Sequence, residues 1–359
     1  GMAPTVKAYA ADTGALNFER TVYESGFTGG VRVAVGDFTA DGYPDVVAGP
    51  GPGGGPRVRV LDGKTGEQIG GPLGSFWAFD ETFTGGVHVA AADVDGDGTP
   101  DVVTAAGPGG GPHVKVFSGA TGAEIASFFA LDPDFDGGIT VAAADLTGDG
   151  RAEIAVGAGP GGGPRVKVYD PTTWDTIAGP LGSFFAFDPS FQGGVYVGAD
   201  SLAGDLDGDG TPDLAIGSGP GMAGAVKIFS GATGAVLRDF QPFGPGMTNG
   251  VRTALAYVDD DEFADIVPGT GPGGPATVRV FSGATGGQLS GAIGEYTPFG
   301  AGTGGVFVAA SNDPLLRDLS FPEIVCQYDS LGVSVLAFGG GEDEWGNRYG
   351  ATGTVTFTA

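Results

Sequence analysis

The chain has 359 residues and a net charge of −27, with 73 glycines, 25 prolines and a single cysteine. That charge argues against a nucleic-acid backbone as partner, which needs clustered Lys and Arg. The lone Cys326 excludes an internal disulfide, and no apolar run approaches the roughly 18 residues of a membrane span. Glycine and proline exceed a quarter of the residues, yet they fall at fixed places between apolar runs. With 41% hydrophobic residues the chain can bury a core, and one folded domain, residues 1–359, is expected.

The start at Gly1-Met2 falls in mid-motif, as expected of a chain whose own export signal has been removed. Residues 6–30, VKAYAADTGALNFERTVYESGFTGG, match the later half of a unit that recurs along the chain. Its starts align on GGVRVAVGD from Gly29, GGVHVAAAD from Gly85, GGITVAAAD from Gly137, GGVYVGAD from Gly193, NGVRTALAY from Asn249 and GGVFVAAS from Gly304. A period above fifty residues belongs to propellers and other arrays. Each unit holds a short apolar run, an Asp-rich loop, a second run, a Gly-Pro loop such as GPGGGP, a third run, a GATG-type turn and an aromatic run.

Runs of four to seven β-branched or aromatic residues, bounded by Gly, Pro and Asp, read as strands. Four strands per unit without helical periodicity predict an all-β fold, a β-propeller of four-stranded blades. The repeats start near residues 30, 86, 138, 194, 250 and 305, which favours six blades. Residues 1–29 then complete the last blade beside FVAAS from Phe307 and EIVCQY from Glu323, interlocking the N- and C-terminal strands. The tail, 329–359, carries VSVLAF and GATGTVTFTA, which either decorate the last blade or begin a seventh.

The Asp loops follow DxDxDGxxD. Positions 1, 3, 5 and 9 offer hard oxygen ligands and the glycine permits a sharp turn, a set suited to Ca²⁺. Asp93, Asp95, Asp97 and Asp101 form a complete copy, as do Asp205, Asp207, Asp209 and Asp213. In Asp37, Thr39, Asp41 and Asp45, threonine stands at the third position. In Asp145, Thr147, Asp149 and Glu153 the last acid also changes. The fifth loop, Asp259, Asp261 and Asp265, has lost its first ligand to Tyr257, and the sixth copy, NDPLLRDLSFPE, has lost the pattern. Position 12 holds Ala48, Thr104, Val156 or Ile216 where an EF-hand needs Glu. Nearly half of the 43 acidic residues sit in these loops, so a cation partner explains the acidity better than a salt-adapted surface does.

Asp loops followed by a Gly-Pro segment (VGAGPGGGP) resemble FG-GAP or VCBS repeats, found in the integrin α-subunit propeller and in secreted bacterial proteins. The resemblance implies calcium in loops on one face, an extracellular or cell-surface setting, and adhesion or glycan recognition. It departs in the degraded fifth and sixth loops and in blade count, since integrin-like propellers have seven.

Two further rows stand out. Lys7, Arg59, Lys115, Lys167, Lys227 and Arg279 share one position of the third strand, and are expected to lie against acidic groups or reach solvent rather than to form a polyanion site. Arg32, His88, Thr140, Tyr196, Arg252 and Phe307 share one position of the innermost strand, where they form either a ligand surface near the channel mouth or a channel lining. No nucleophile–base pair, zinc set or phosphate loop emerges. The expected function is therefore non-enzymatic: a calcium-binding module for a glycan or an extracellular protein ligand. The alternatives are a structural repeat of a larger secreted protein and a polysaccharide-active enzyme. Connectivity alone puts the Asp loops and GATG turns on one face and the Gly-Pro loops on the other, where the ligand is expected.

Overall fold

The computed structural model describes residues 4–9, 16–199, 204–258, 261, 263–291, 294–297, 305–311, 323–328, 341–342 and 348–349. A hairpin of β1 (Thr5–Tyr9) and β2 (Leu16–Thr21) opens the chain. Five four-stranded antiparallel blades follow. The first comprises β3 (Val31–Gly36), β4 (Asp45–Pro50), β5 (Arg57–Leu61) and β6 (Ser75–Trp77); the second, β7 (Val87–Ala92), β8 (Asp101–Ala106), β9 (His113–Phe117) and β10 (Glu124–Phe129). The third holds β11 (Ile139–Ala144), β12 (Glu153–Ala158), β13 (Arg165–Tyr169) and β14 (Ser183–Phe185). The fourth holds β15 (Val195–Gly198), β16 (Leu214–Ser218), β17 (Val226–Phe229) and β18 (Val236–Phe240). The fifth holds β19 (Val251–Ala256), β20 (Asp265–Thr270), β21 (Val278–Arg279) and β22 (Glu295–Tyr296). A pair, β23 (Val306–Ser311) with β24 (Glu323–Tyr328), comes next, then the short β25 (Gly341–Glu342) and β26 (Arg348–Tyr349).

The innermost strands close the circle. Each of β3, β7, β11, β15, β19 and β23 packs on its successor, and β23 packs back on β3. Five blades and β23–β24 thus occupy six positions. The physical reason lies in the sequence of the inner strands. In β3, β4, β11, β12, β19 and β20 every residue is buried, because blades stack on both faces. Small, continuously apolar runs suit that position better than alternating ones. Val47, Val58 and Val60 of the first blade, for instance, share a cluster with Val87, Val89 and Val102 of the second, each worth roughly 1.5 kcal/mol or more on burial.

Ring closure differs in detail from the expectation that residues 1–29 complete the last blade, with the strand from Lys7 to Ala10 beside the one around Ile324. Among the described residues β1–β2 and β23–β24 are separate two-stranded sheets, and Ala10 lies outside the described residues. The N-terminal segment nevertheless docks as a blade would. Val6, Phe18, Val22 and Tyr23 pack on Val31, Val33 and Val46. The sixth loop from 312 to 322 and the segments at 333–338 and 350–359 also lie outside the described residues.

Candidate functional site

Each Asp loop joins the first strand of a blade to the second, and the same hydrogen bonds recur in four blades. The carboxylate at position 1 accepts from the backbone amides of positions 4 to 6. Asp93 takes Gly96 (2.7 Å), Asp97 (3.1 Å) and Gly98 (2.8 Å); Asp205 takes Gly208, Asp209 and Gly210 at 2.7, 3.2 and 2.8 Å. Asp145 does the same with Gly148, Asp149 and Gly150, and Asp37 with Asp41 and Gly42. The carboxylate at position 5 accepts from the amide of position 7, as in Asp41–Tyr43, Asp97–Thr99, Asp149–Arg151 and Asp209–Thr211. Backbone amides thus curl the loop around its first acid. The glycines at position 6, Gly42, Gly98, Gly150 and Gly210, carry φ of 81–88°, a region that side chains resist.

The acid at position 9 plays another part, one that spacing does not show. Asp45, Asp101, Asp213 and Asp265 are fully buried and Glu153 is nearly so. Asp101 accepts from Val94 (2.9 Å) and Asp95 (3.1 Å) of its own loop and from Gly119 (2.8 Å) of the turn between third and fourth strands. Gly63, Gly231 and Gly283 make the same bond to Asp45, Asp213 and Asp265. A Cβ on Gly119 would lie 1.9 Å from the Pro100 carbonyl oxygen, so the turn must be glycine. The third blade departs twice at once. Glu153 replaces Asp, and Pro171, which has no N–H, replaces the glycine. The longer Glu153 keeps Leu146 and Thr147 amides (2.7 and 3.0 Å) and takes the Thr147 hydroxyl (2.9 Å) in place of the turn amide.

Burial raises these acids. Asp45 and Asp101 are pushed up to about 6, and Asp213 and Glu153 to about 7. Burial, then its neighbour Asp209, also raises Asp207. Carboxylates held in this way favour a proton or a cation.

The donors meet a simple geometric test. Oxygens bound to one Ca²⁺ at about 2.4 Å can be no more than about 4.8 Å apart. One carboxylate oxygen from each of Asp93, Asp95 and Asp101 satisfies it, as does one from each of Asp205, Asp207 and Asp209. Both sets belong to the complete copies of the motif. In the first and third loops Thr39 and Thr147 leave only three acids. The fifth loop retains Asp265, which accepts from Val258 (2.8 Å), and Asp261, which accepts from Phe263 (2.9 Å); Asp259 lies outside the described residues. Neighbouring loops are also tied through the backbone. Ala152 N–H donates to the Asp93 carbonyl (2.7 Å) and Ala264 N–H to that of Asp205 (3.0 Å).

Comparison with protein families agrees with the repeat. Residues 37–104 and 93–156 match the model of an FG-GAP-like repeat, and residues 197–236 that of the FG-GAP repeat. The chain is an FG-GAP-repeat β-propeller. No curated protein sequence matches it. Among solved structures, the V. cholerae biofilm matrix protein Bap1 aligns at 18% identity and a TM-score of 0.39, over 81% of this chain and 42% of that one. The computationally designed Ika8 protein aligns at 17% and 0.43, over 93% of this chain and 90% of the other. The FG-GAP propeller thus spans less than half the length of the Bap1 chain.

At the centre of the FG-GAP propeller the innermost-strand row converges. The Arg252 guanidinium lies 3.6 Å from the Phe307 ring centre and 5.1 Å from that of Tyr196. Arg32 lies 5.7 Å from Phe307, and His88 meets the same ring edge-on. The Thr140 hydroxyl donates to the Val195 carbonyl (3.1 Å). Arg32, Thr140 and Arg252 are buried, and burial together with both arginines pushes the His88 imidazole well below its usual range. One residue further along each strand, a cavity of about 650 Å³ begins. Val33, Val89, Val141, Val197, Thr253 and Val308 line it, and it reaches Asp37, Asp93 and Asp145 at the Asp-loop end. The row therefore sits between this cavity and the Gly-Pro face.

In the third-strand row three described members lie against acidic groups, as expected, while Lys167 and Arg59 meet a backbone carbonyl and a ring instead. Lys115 pairs with Glu124 (2.7 Å), Lys227 with Asp239 (3.4 Å) and Arg279 with Glu295 (2.8 Å). Lys167 donates to the Ala130 carbonyl (3.0 Å), and Arg59 lies over the Tyr23 ring. The side chain of Lys7 lies outside the described residues.

Proposed function

We propose that this FG-GAP propeller is a calcium-braced, extracellular binding module that engages a glycan or protein ligand through its Gly-Pro face and performs no chemistry on it. The observation that carries the metal half is the convergence of Asp93, Asp95 and Asp101, and of Asp205, Asp207 and Asp209, within the reach of one ion each. Calcium bound at these sites would offset like charges; the chain's own part is done by the loop amides, which orient each first carboxylate before an ion arrives. The Asp37 set (Asp37, Thr39, Asp41, Asp45) and the Asp145 set (Asp145, Thr147, Asp149, Glu153) are assigned weaker sites of the same kind.

The binding role rests on where the loops leave free surface. Ion and amides engage the acids of one face, whereas the opposite face carries the Gly-Pro loops and aromatic segments, tied together by bonds such as Gly109 N–H to the Asp136 carbonyl (2.8 Å). A non-enzymatic reading fits the Ser–His contact found among the described residues. His113 bonds Ser127 at 2.9 Å, but arginine holds the same place in the neighbouring blades, with Arg57 on Ser75 and Arg165 on Ser183. A position that takes arginine as readily is a pairing site, not a base.

Titration calorimetry tests the metal reading. Wild type should bind at least two Ca²⁺, in the weak range of roughly 10⁻⁴–10⁻³ M, and Asp95→Ala and Asp207→Ala should each remove one. Equal melting temperatures in millimolar calcium and in excess EDTA would refute it.

A further inference from the structure

Among the described residues five large hydrophobic side chains are exposed: Tyr43, Trp77, Phe129, Phe185 and Val236. Three of these occupy one and the same position, at the outer-strand rim of three consecutive blades. Trp77 pairs across strands with Arg57, Phe129 with His113, and Phe185 with Arg165. Each ring is 42–52% exposed. In each pair the basic side chain lies against the ring: Arg57 at 5.7 Å from Trp77, Arg165 at 5.3 Å from Phe185, and the His113 and Phe129 ring centres 4.8 Å apart.

A serine two residues before each ring completes the unit. Arg57 Nε donates to Ser75 (2.7 Å), His113 contacts Ser127 (2.9 Å), and Arg165 donates to Ser183 (3.4 Å). The last glycine before the proline of each Gly-Pro loop, Gly55, Gly111 or Gly163, seats the ring, since a Cβ there would stand 3.0–3.7 Å from it. The fourth and fifth blades lack the arrangement. Ala225 and Thr277 stand where the base would be, and Gln241 and Thr297 where the ring would be.

We infer that this arc of blades one to three is a glycan-binding surface for a neutral, hydroxyl-rich polysaccharide. The inference rests on the glycan branch of the proposed function and deepens it. Three features select that ligand. An aromatic ring exposed to water beside a fixed hydrogen-bond donor matches a sugar, which presents an apolar C–H face edged by hydroxyls. Three equivalent units at successive blades match a polymer that repeats its own groups, and three weak contacts on one chain gain by avidity. The third feature is charge. Asp80, Glu81, Asp132, Asp134, Asp136 and Asp188 lie in the segments that follow these rings, on a chain of net charge −27, so a polyanion is repelled while the donors of Arg57 and Arg165 remain available to hydroxyls.

Affinity electrophoresis of the full chain through gels containing xyloglucan, galactomannan, mixed-linkage β-glucan, dextran or alginate provides the test. At least one neutral polymer should retard the wild type, and its monosaccharide should not compete. Trp77→Ala, Phe129→Ala and Phe185→Ala should each weaken retardation roughly 3–10-fold, and the triple variant at least about 100-fold through lost avidity. Phe129→Tyr and Phe185→Tyr, which keep a ring, should retain it. Undiminished binding by a triple variant with unchanged melting temperature would overturn the arc but leave glycan binding standing elsewhere. Retardation by alginate alone would overturn the neutral class. No retardation by any polymer would overturn both the arc and the glycan branch.

Discussion

The double departure in the third blade makes a sharp prediction. In other blades a buried Asp is held by one or two loop amides and one turn glycine, as in Asp101 with Val94, Asp95 and Gly119 and Asp213 with Leu206 and Gly231. In the third blade Glu153 is held by Leu146, Thr147 and the Thr147 hydroxyl instead. Glu153→Asp withdraws the carboxylate by one methylene, roughly 1.5 Å, and forfeits the hydroxyl bond, while Pro171 offers no amide to replace it. Losing a hydrogen bond to a charged, buried group should cost about 1.5–3 kcal/mol. Pro171→Gly alone should cost about 0.4–1 kcal/mol through the unfolded chain. If the two positions were independent, the pair would cost about 2–4 kcal/mol. Because the new glycine supplies the amide that a short acid uses elsewhere, the double variant should instead be no less stable than Glu153→Asp. Calorimetric unfolding in excess EDTA, with all four proteins compared as a cycle, measures the coupling free of any ion. Additivity within about 0.5 kcal/mol would refute the reasoning.

Other outcomes follow from the same geometry. Ala40 holds φ 55° where Gly96, Gly148 and Gly208 hold 73–75°, so Ala40→Gly should raise stability by about 0.5–1 kcal/mol, read as an increase in denaturation midpoint. Asp45 and Asp101, raised to about 6, and Asp213 and Glu153, raised to about 7, favour the folded state while protonated. That contribution is full below about pH 4 and is lost as pH climbs through 6 to 7. The EDTA-treated protein should therefore melt at a lower temperature at pH 7.5 than at pH 5, and added calcium should raise Tm more at pH 7.5; a calcium increment independent of pH would contradict this. Removing residues 1–29 strips Val6, Phe18, Val22 and Tyr23 from the first blade and bares strand edges. Loss of the monomer in size-exclusion chromatography is expected.

Much of this protein is legible in its sequence because its order is local and repeated. Six copies of an innermost strand, with small apolar residues throughout, announce blades that are buried on both faces. Asp93 to Asp101 and Asp205 to Asp213 announce their loops, since the ligands lie within nine residues of one another. Gly119 and Asp101 meet only because the chain runs out along one strand and back along the next, a pairing eighteen residues apart that no loop motif contains; the one hint was Glu153 and Pro171 changing together. The innermost row was visible as six differing residues, but its packing was not. Arg252 is buried against Phe307 from the next position round the ring, and only closure of the circle sets that contact. Exposure was likewise decided by tertiary structure. Phe128 and Phe129 are adjacent and alike in sequence, yet strand alternation turns one onto Tyr169 of the next blade and leaves the other at the rim, beside His113, in water.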